Sequence, residues 1–400
     1  MIGRAEHDPQ VGGTRGFLPA VEGMRACAAV GVVITHVAFQ TGHSTGVAGR
    51  LFGRFDLAVA VFFTLSGFLL WRSHAAAARG NTGAAPRSTG HYLRSRVVRI
   101  MPGYLVAVVV ILSLLPAAAG ASLTVWLANL SMTQIYVPLT LTAGLTQMWS
   151  LSVEVAFYLI LPVLALLARR LGVSARVPVI AAVAIASWAW GWIPFDAPYG
   201  INPLNWPPAF ASWFAAGMLL AEWVASPIGL PHRLARRRIL MALVALAAFG
   251  VAASPLAGPE GLVPGTPAQF AVKTAMGAVV AAALVAPLVL DRPDTAHRLL
   301  GNKTMVTLGR WSYGLFIWHL AALAMVFPVI GEFPFNGRMP VVLVLTLVFG
   351  VAIAAVSYAL VEAPCREALR SWERRQENRD GRPTSPPDSA VTAGATPVGL

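Results

Sequence analysis

Charge is scarce in this chain. Only 12% of its 400 residues are Asp, Glu, Lys or Arg, 56% are hydrophobic, and the mean hydropathy is +0.66. A soluble protein of this length needs far more charge to cover its surface, so a soluble globular fold is excluded. Cysteine is scarce too: Cys27 and Cys365 lack the spacing of a metal site, and we expect them to remain unpaired.

Long apolar runs take the place of the missing charge, and several approach the roughly 20 residues that cross a bilayer's hydrocarbon. The sequence predicts an all-α polytopic membrane protein with about ten transmembrane helices, near residues 19–38, 55–71, 102–119, 148–167, 178–193, 208–224, 239–253, 268–290, 311–330 and 340–361. Residues 1–370 are predicted to form the transmembrane domain. The polar, Pro-, Gly- and Ser-rich residues 371–400 are predicted to be a disordered cytoplasmic tail. The outer segment 126–147 is amphipathic and is a candidate re-entrant segment.

Acidic residues are fewer than basic ones, 17 against 30, which gives a formal net charge of +13. Such an excess can indicate nucleic-acid binding, but here it follows the predicted topology. With the N-terminus in the cytoplasm, 25 of the 30 Lys and Arg residues fall in cytoplasmic loops and termini. This distribution obeys the positive-inside rule and predicts that both termini are cytoplasmic. We therefore expect a multi-pass protein of the inner (plasma) membrane that has no nucleic-acid partner.

Four ionisable residues fall inside predicted spans, where a charged side chain costs about 2.5–3.5 kcal/mol: Arg25, His36, Glu154 and His319. Ten residues separate Arg25 from His36, which is about three helical turns, so both side chains share one helix face about 16 Å apart. Structural alternatives exist for all four. Arg25 could snorkel to lipid headgroups, His36 could be a neutral interfacial residue, Glu154 could complement its helix dipole, and His319 could be a packing residue.

A histidine near a carboxylate is the usual arrangement of a general base that takes a proton from a hydroxyl group. Ser150 and Glu154 are i, i+4 neighbours on one helix face. We therefore expect Glu154 to orient the ring of His36 and to stabilise its imidazolium form.

Three arginines, Arg94, Arg96 and Arg99, precede the third predicted span. Their planar guanidinium forks suit phosphate oxygens, although anchoring to lipid headgroups is the alternative. In the second span, Ser66 and Gly67 lie at mid-membrane depth, where helix packing alone could also explain small residues.

Six segments carry a family pattern, in order along the chain: Arg25 and His36 in the first span; FFTLSGFLL at 62–70; Arg96 and Arg99; Trp149, Ser150 and Glu154 followed by Phe157 and Tyr158; GRWSYGLFIWHL at 309–320; and Ser357, Tyr358, Glu362, Pro364 and Arg366. Over residues 17–370 the chain resembles the membrane-bound acyltransferase family 3, bacterial enzymes that O-acylate sugars, polysaccharides and related acceptors. Its motifs resemble those of actinobacterial members. It departs from the pattern at Glu22 and Ala60, where many relatives have aspartate. Asp56, one turn before Ala60, could substitute for the second of these.

The resemblance implies an O-acetyltransferase that moves an acyl group from cytoplasmic acyl-CoA, its donor substrate, to a hydroxyl group. The implied acceptor is a carbohydrate or glycolipid of the cell envelope, or another membrane-associated molecule. His36 would act as general base or be acylated transiently, with Glu154 and Arg25 completing the catalytic group. Arg96, Arg99 and Arg94 would hold the donor's phosphates; Ser66, Ser150, Trp149 and His319 are further site candidates. No bound cofactor or metal is expected. Because buried ionisable groups in a polytopic bundle also describe carriers, a transporter or flippase is the alternative.

Overall fold

The computed structural model describes residues 17–81, 88–261, 263–291, 297–335 and 337–379, and every regular element within them is helical. The α-helices in these residues are α1 Pro19–Gln40, α2 Gly46–Gly53, α3 Ala58–Ala77, α4 Thr89–Leu114, α5 Leu123–Leu130, α6 Trp149–Arg169, α7 Val173–Ser187, α8 Ala211–Val224, α9 Leu230–Ala235, α10 Arg238–Ala252, α11 Pro267–Val289, α12 Lys303–Ile330, α13 Met339–Ser357 and α14 Ala363–Arg379.

Ten of these helices correspond to the ten predicted spans. Within the described residues, eight helical segments are long and apolar enough to cross a membrane. The other two predicted spans are the shorter helices α8 and α10, with 14 and 15 residues. The prediction of an all-α polytopic membrane protein is confirmed.

Glycines let the central helices approach closely. A Cβ on Gly23 of α1 would lie 2.1 Å from the carbonyl oxygen of Leu300, and one on Gly309 of α12 would lie 2.2 Å from that of Glu22. A Cβ on Gly217 of α8 would lie 1.9 Å from the carbonyl oxygen of Thr64 in α3. Small residues at such crossings replace the hydrophobic effect as the means of helix association in lipid. The parallel pair α1 and α12 and the pair α3 and α8 are thereby fixed against each other.

The segment between α4 and α6 is irregular apart from α5 and two short 3₁₀ helices, Pro116–Ala118 and Thr146–Met148, and buried amide side chains bond to its backbone and to α12. Asn129 donates from Nδ2 to the carbonyl oxygens of Val125 and Thr140, both at 2.9 Å. Gln147 donates from Nε2 to the carbonyl oxygen of Ile317 in α12 at 3.0 Å. Irregular backbone at membrane depth requires such internal partners.

The predicted boundary of the tail at residue 370 falls inside a helix. α14 continues to Arg379 and packs against α4, where Trp372 lies under the guanidinium of Arg94 and Glu373 contacts Nδ1 of His91 at 3.0 Å. The sequence indicated disorder because these residues are polar, but contacts with α4 give the polar helix a partner. Residues 380–400, the rest of the predicted tail, lie outside the described residues.

Candidate functional site

Arg25 and His36 both face α12. The Nε atom of Arg25 lies 3.5 Å from the hydroxyl oxygen of Ser312, and Nδ1 of His36 lies 3.3 Å from Nε2 of His319. The shared helix face predicted from their spacing is therefore a face turned toward protein. Close packing of α1 on α12, which the glycines permit, makes both contacts possible.

The hydrogen bonds of the two histidines determine which ring nitrogens carry protons. Nδ1 of His36 lies 2.8 Å from the carbonyl oxygen of Val32, one turn earlier, and Nδ1 of His319 lies 2.7 Å from that of Phe316. A carbonyl oxygen can only accept, so both Nδ1 atoms must donate, and in the neutral rings both Nε2 atoms hold lone pairs. His319 uses its lone pair to accept from His36. Nε2 of His36 has no hydrogen-bond partner in the part of the chain that the structure describes, and its side chain is half-buried.

Glu154 lies elsewhere than predicted. Its Oε1 atom accepts from the hydroxyl groups of Ser66 and Tyr158, both at 2.5 Å. No hydrogen bond joins it to His36 among the described residues, so the expected His36–Glu154 pairing is not made. The position beside His36 is occupied by His319 instead, because α12 rather than α6 packs along α1. Ser150, expected beside Glu154, donates to the carbonyl oxygen of Gln147 at 3.3 Å.

A small polar chamber connects several of the predicted residues. It has a volume of about 40 Å³ and is lined in part by Arg25, Ser66, Ser150, Glu154 and Tyr313. That volume accommodates about one water molecule. Arg25, Ser66, Ser150 and Glu154, expected from the sequence as site residues, are thus brought to one chamber from α1, α3 and α6, while His36 lies outside it.

Phenylalanines form the boundary of the chamber. Phe62 and Phe316 both line it, and their rings meet edge to face with centroids 6.0 Å apart. The ring of Phe316 lies 5.9 Å from the ring of His319. Phe316 therefore contacts both the chamber and the histidine pair.

The three predicted phosphate-binding arginines separate into two groups. Arg96 lies over the ring of Tyr158, 6.0 Å from its centroid, and Arg99 acts electrostatically on Arg25. Arg94 is exposed and stacks on Trp372 of α14, 4.4 Å from the ring centroid. Arg96 and Arg99 belong to the electrostatic surroundings of the chamber, whereas Arg94 does not. Trp149, the remaining candidate, packs against the ring of Phe210 with centroids 5.0 Å apart.

Asp56 lies just before the start of α3, at the end of the bundle that is predicted to be extracytoplasmic. Its Oδ2 atom is 2.5 Å from Nζ of Lys273 and 4.0 Å from Nη1 of Arg54, and its charge acts on His36. Ala60, the departure from the family pattern, is fully buried. Within the described residues, no group of three or more His, Cys, Asp or Glu side chains could hold a metal ion.

Sequence reasoning missed two features of the site. Tyr313 lines the chamber and donates to the carbonyl oxygen of Ile100 at 2.7 Å, and it lies within the quoted GRWSYGLFIWHL motif. Its spacing of three residues from Phe316 was the available signal, because i and i+3 share a helix face. The second feature is the carbonyl oxygen of Val32, which fixes the tautomer of His36. It is a backbone atom, so no residue type in the sequence indicates its role.

Comparison with known proteins shows which family the chain belongs to. A family model described as an acyltransferase domain, that of acyltransferase family 3, matches residues 18–360. The acyltransferase MdmB of Streptomyces mycarofaciens is 29% identical over 326 residues, which is 76% of this chain and 79% of that protein. The search of solved structures found no significant match. The chain belongs to the acyltransferase 3 family and is a multi-pass membrane enzyme that transfers acyl groups.

Proposed function

We propose that the protein is an O-acyltransferase of the plasma (inner) membrane, which moves an acetyl group from cytoplasmic acetyl-CoA to a hydroxyl group of a cell-envelope glycolipid or saccharide. His36 is the general base. The observation that carries this proposal is that Nε2 of His36 has no hydrogen-bond partner among the described residues, while Arg25, about three helical turns earlier on the same helix, lines the chamber.

The donor approaches from the arginine end. CoA carries phosphates, and guanidinium groups bind phosphate oxygens through paired, charge-assisted hydrogen bonds. Arg96 and Arg99 lie at the cytoplasmic part of α4 according to the positive-inside pattern, and Arg99 acts on Arg25. The axial distance from Arg25 to His36 is about 16 Å, which the extended pantetheine arm of the donor would span.

At the other end, the acceptor's hydroxyl proton passes to Nε2 of His36 as its oxygen attacks the thioester carbonyl. The C–S bond then breaks, CoA leaves as the thiolate, and the imidazolium returns the proton to sulfur. The products are the acyl ester and free CoA. Nδ1–H of His36 keeps its bond to the Val32 carbonyl throughout, and this bond and His319 stabilise the imidazolium.

Glu154 has a different role from that expected of it. Its carboxylate is held by Ser66 and Tyr158 and acts electrostatically on both Arg25 and Arg96. It balances the positive charge of the chamber and so keeps the donor-binding arginines close together before the donor arrives. This is a positioning role.

The test compares envelope glycolipids and saccharides, by mass spectrometry, from cells that lack the protein and from cells that produce the wild type or a variant. The wild type restores species carrying additional acetyl groups, and His36→Gln, which cannot accept the proton, does not. His43→Gln is the matched control, since His43 lies beyond the end of α1 and its Nδ1 contacts Thr41. Full acetylation by His36→Gln, at equal protein level in the membrane, would contradict the assignment of the base.

Once the envelope comparison has identified the acceptor, transfer can be assayed directly with purified protein in liposomes and labelled acetyl-CoA. We expect acceptor-dependent release of CoA and transfer of the label to the acceptor. CoA consumption that transfers no label to any envelope fraction would argue against acetyl transfer to the envelope.

A further inference from the structure

An apolar groove opens on the side of the bundle, and its lining residues differ from those of the polar chamber. It has a volume of about 640 Å³, lies between α6 and α7, and has α8 as its floor. Its lining is almost wholly aliphatic and aromatic, and Ile160 and Leu167, on its α6 wall, are 47% and 53% exposed. A pocket of this volume is typical of a ligand site, and its exposed wall faces the surrounding lipid.

One charged side chain lines this groove. Arg176 near the start of α7 is only 2% exposed, and its Nη2 atom has no hydrogen-bond partner in the part of the chain that the structure describes. Its other nitrogens are used: Nε donates to Glu222 at 2.7 Å and Nη1 donates to the carbonyl oxygen of Ala168 at 3.1 Å. The guanidinium carbon lies 5.2 Å from the centroid of the Trp71 ring, but Nη2 has no oxygen or nitrogen acceptor among the described residues, and a buried donor without an acceptor is costly.

The charge around Arg176 favours an anion. Glu222 is fully buried, and its two oxygens accept from Arg176, from Arg79 at 2.6 Å and from the indole of Trp71 at 2.7 Å. Two guanidinium groups therefore share one carboxylate, which leaves one positive charge in excess at the end of the groove. The positive-inside pattern places this end at the cytoplasmic face.

The length of the groove fits a lipid tail. Its α6 wall runs from Ala156 to Ala168, which is about 18 Å along the helix. The hydrocarbon core is about 30 Å thick, so this wall covers slightly more than one leaflet. A saccharide would find no hydrogen-bond partners along such an aliphatic wall.

We propose that the groove binds one anionic phospholipid of the cytoplasmic leaflet. Its phosphate accepts from Nη2 of Arg176 and balances the excess positive charge, and one acyl chain lies along the wall formed by α6 and α7. This site is independent of the chamber that binds the donor.

Native mass spectrometry of the purified full chain tests this site, with phosphatidylglycerol and phosphatidylcholine of identical acyl chains titrated separately. We expect the wild type to retain one phosphatidylglycerol with a dissociation constant about tenfold below that of phosphatidylcholine. Ala156→Phe fills the groove without removing a polar contact, and it should weaken phosphatidylglycerol binding at least about tenfold. The matched control is Val163→Phe, because Val163 is an exposed residue of α6 outside the groove lining.

Arg176→Lys tests the headgroup contact, since one ammonium group can serve Glu222 but has no fork to extend a second donor toward the groove. It should weaken the binding of phosphatidylglycerol while keeping the acyl chain in place, because the phosphate loses its donor although the positive charge remains. Unchanged phosphatidylglycerol binding in Ala156→Phe would overturn the groove as the site. Equal affinity of the wild type for the two lipids would overturn the role of the excess positive charge, and an unchanged affinity of Arg176→Lys for phosphatidylglycerol would overturn the assignment of the phosphate to Arg176.

Discussion

Replacing His319 with phenylalanine removes the contact between the two histidines, together with the bond from Nδ1 of His319 to the carbonyl oxygen of Phe316. The substitution keeps a flat ring of similar size and removes the nitrogen that accepts from His36. His36 retains its bond to the Val32 carbonyl at 2.8 Å, so the lost contact is the longer one at 3.3 Å. One such hydrogen bond is worth about 1 kcal/mol, which is about fivefold in rate if it acts in the transition state. Loss of a general base costs about 10²–10⁴-fold. We therefore expect His319→Phe to lower kcat about fivefold, far less than His36→Gln.

The assay measures kcat and KM for acetyl-CoA separately in liposomes, with the acceptor identified from the envelope comparison. His319→Gln is the conservative variant, because its amide oxygen can accept from Nδ1 of His36. It should keep most of the wild-type kcat, and neither variant should change KM for the donor. General damage to the packing of α12 would instead impair both variants and lower their unfolding temperature.

Three results would refute this reasoning. A wild-type kcat in His319→Phe would show that the contact does not act in the reaction. Equal loss in His319→Gln and His319→Phe would show that His319 acts through packing. Inactivation of His319→Phe as complete as that of His36→Gln would move the base to His319.

Other sites give shorter tests. Arg99→Ala should raise KM for acetyl-CoA about tenfold at nearly constant kcat, because it removes a proposed phosphate contact. Arg94→Ala should leave both constants near the wild-type values, because the guanidinium of Arg94 is exposed and stacks on α14. Gly309→Ala places a Cβ 2.2 Å from a backbone oxygen of α1 and should reduce kcat about 10²-fold by displacing the catalytic helices; a wild-type rate would contradict that packing. A backbone N–H of α2 lowers the pKa of the Glu260 carboxyl, and Arg50 lowers it further. The contact between Glu260 and α2 should therefore persist above the ordinary glutamate pKa of about 4.3 and be lost only as the pH falls below it. This pH dependence can be tested by hydrogen exchange of α2 between about pH 3 and 7, a range that brackets the glutamate pKa. Protection of α2 that weakens as the pH rises above about 5 would contradict the predicted direction.

Much of the helical architecture could be predicted from the sequence, because apolar runs of membrane length leave few other structures possible. The common face of Arg25 and His36 followed from helical spacing alone. The partner of His36 could not be predicted in this way. His319 is 283 residues away, and the contact depends on which helix packs along α1, a matter decided by backbone approach at glycines.

The charged groups of α8 and α7 show a second limit. Glu222 lies inside a predicted span, but Arg176 was counted among the cytoplasmic loop residues, and nothing in the spacing joined them. In the structure they form a cluster of three charged residues with Arg79, in which Glu222 is fully buried. A carboxylate in an apolar run indicates that a cation is needed nearby, but which of many arginines supplies it depends on the tertiary fold.

One phenylalanine lies next to both ends of the proposed site in the described conformation. Arg25 lines a chamber that holds about one water molecule, and Phe316 contacts both this chamber and His319. In the proposed reaction a thioester bound at the arginines has to reach Nε2 of His36, so we expect Phe316, and Phe62 packed against it, to move aside. Side-chain rotation would suffice for this movement, since the glycine contacts fix α12 against α1. A donor that binds the opened arrangement more tightly than the described one would shift the protein toward it, so that the donor's own binding energy would drive this movement.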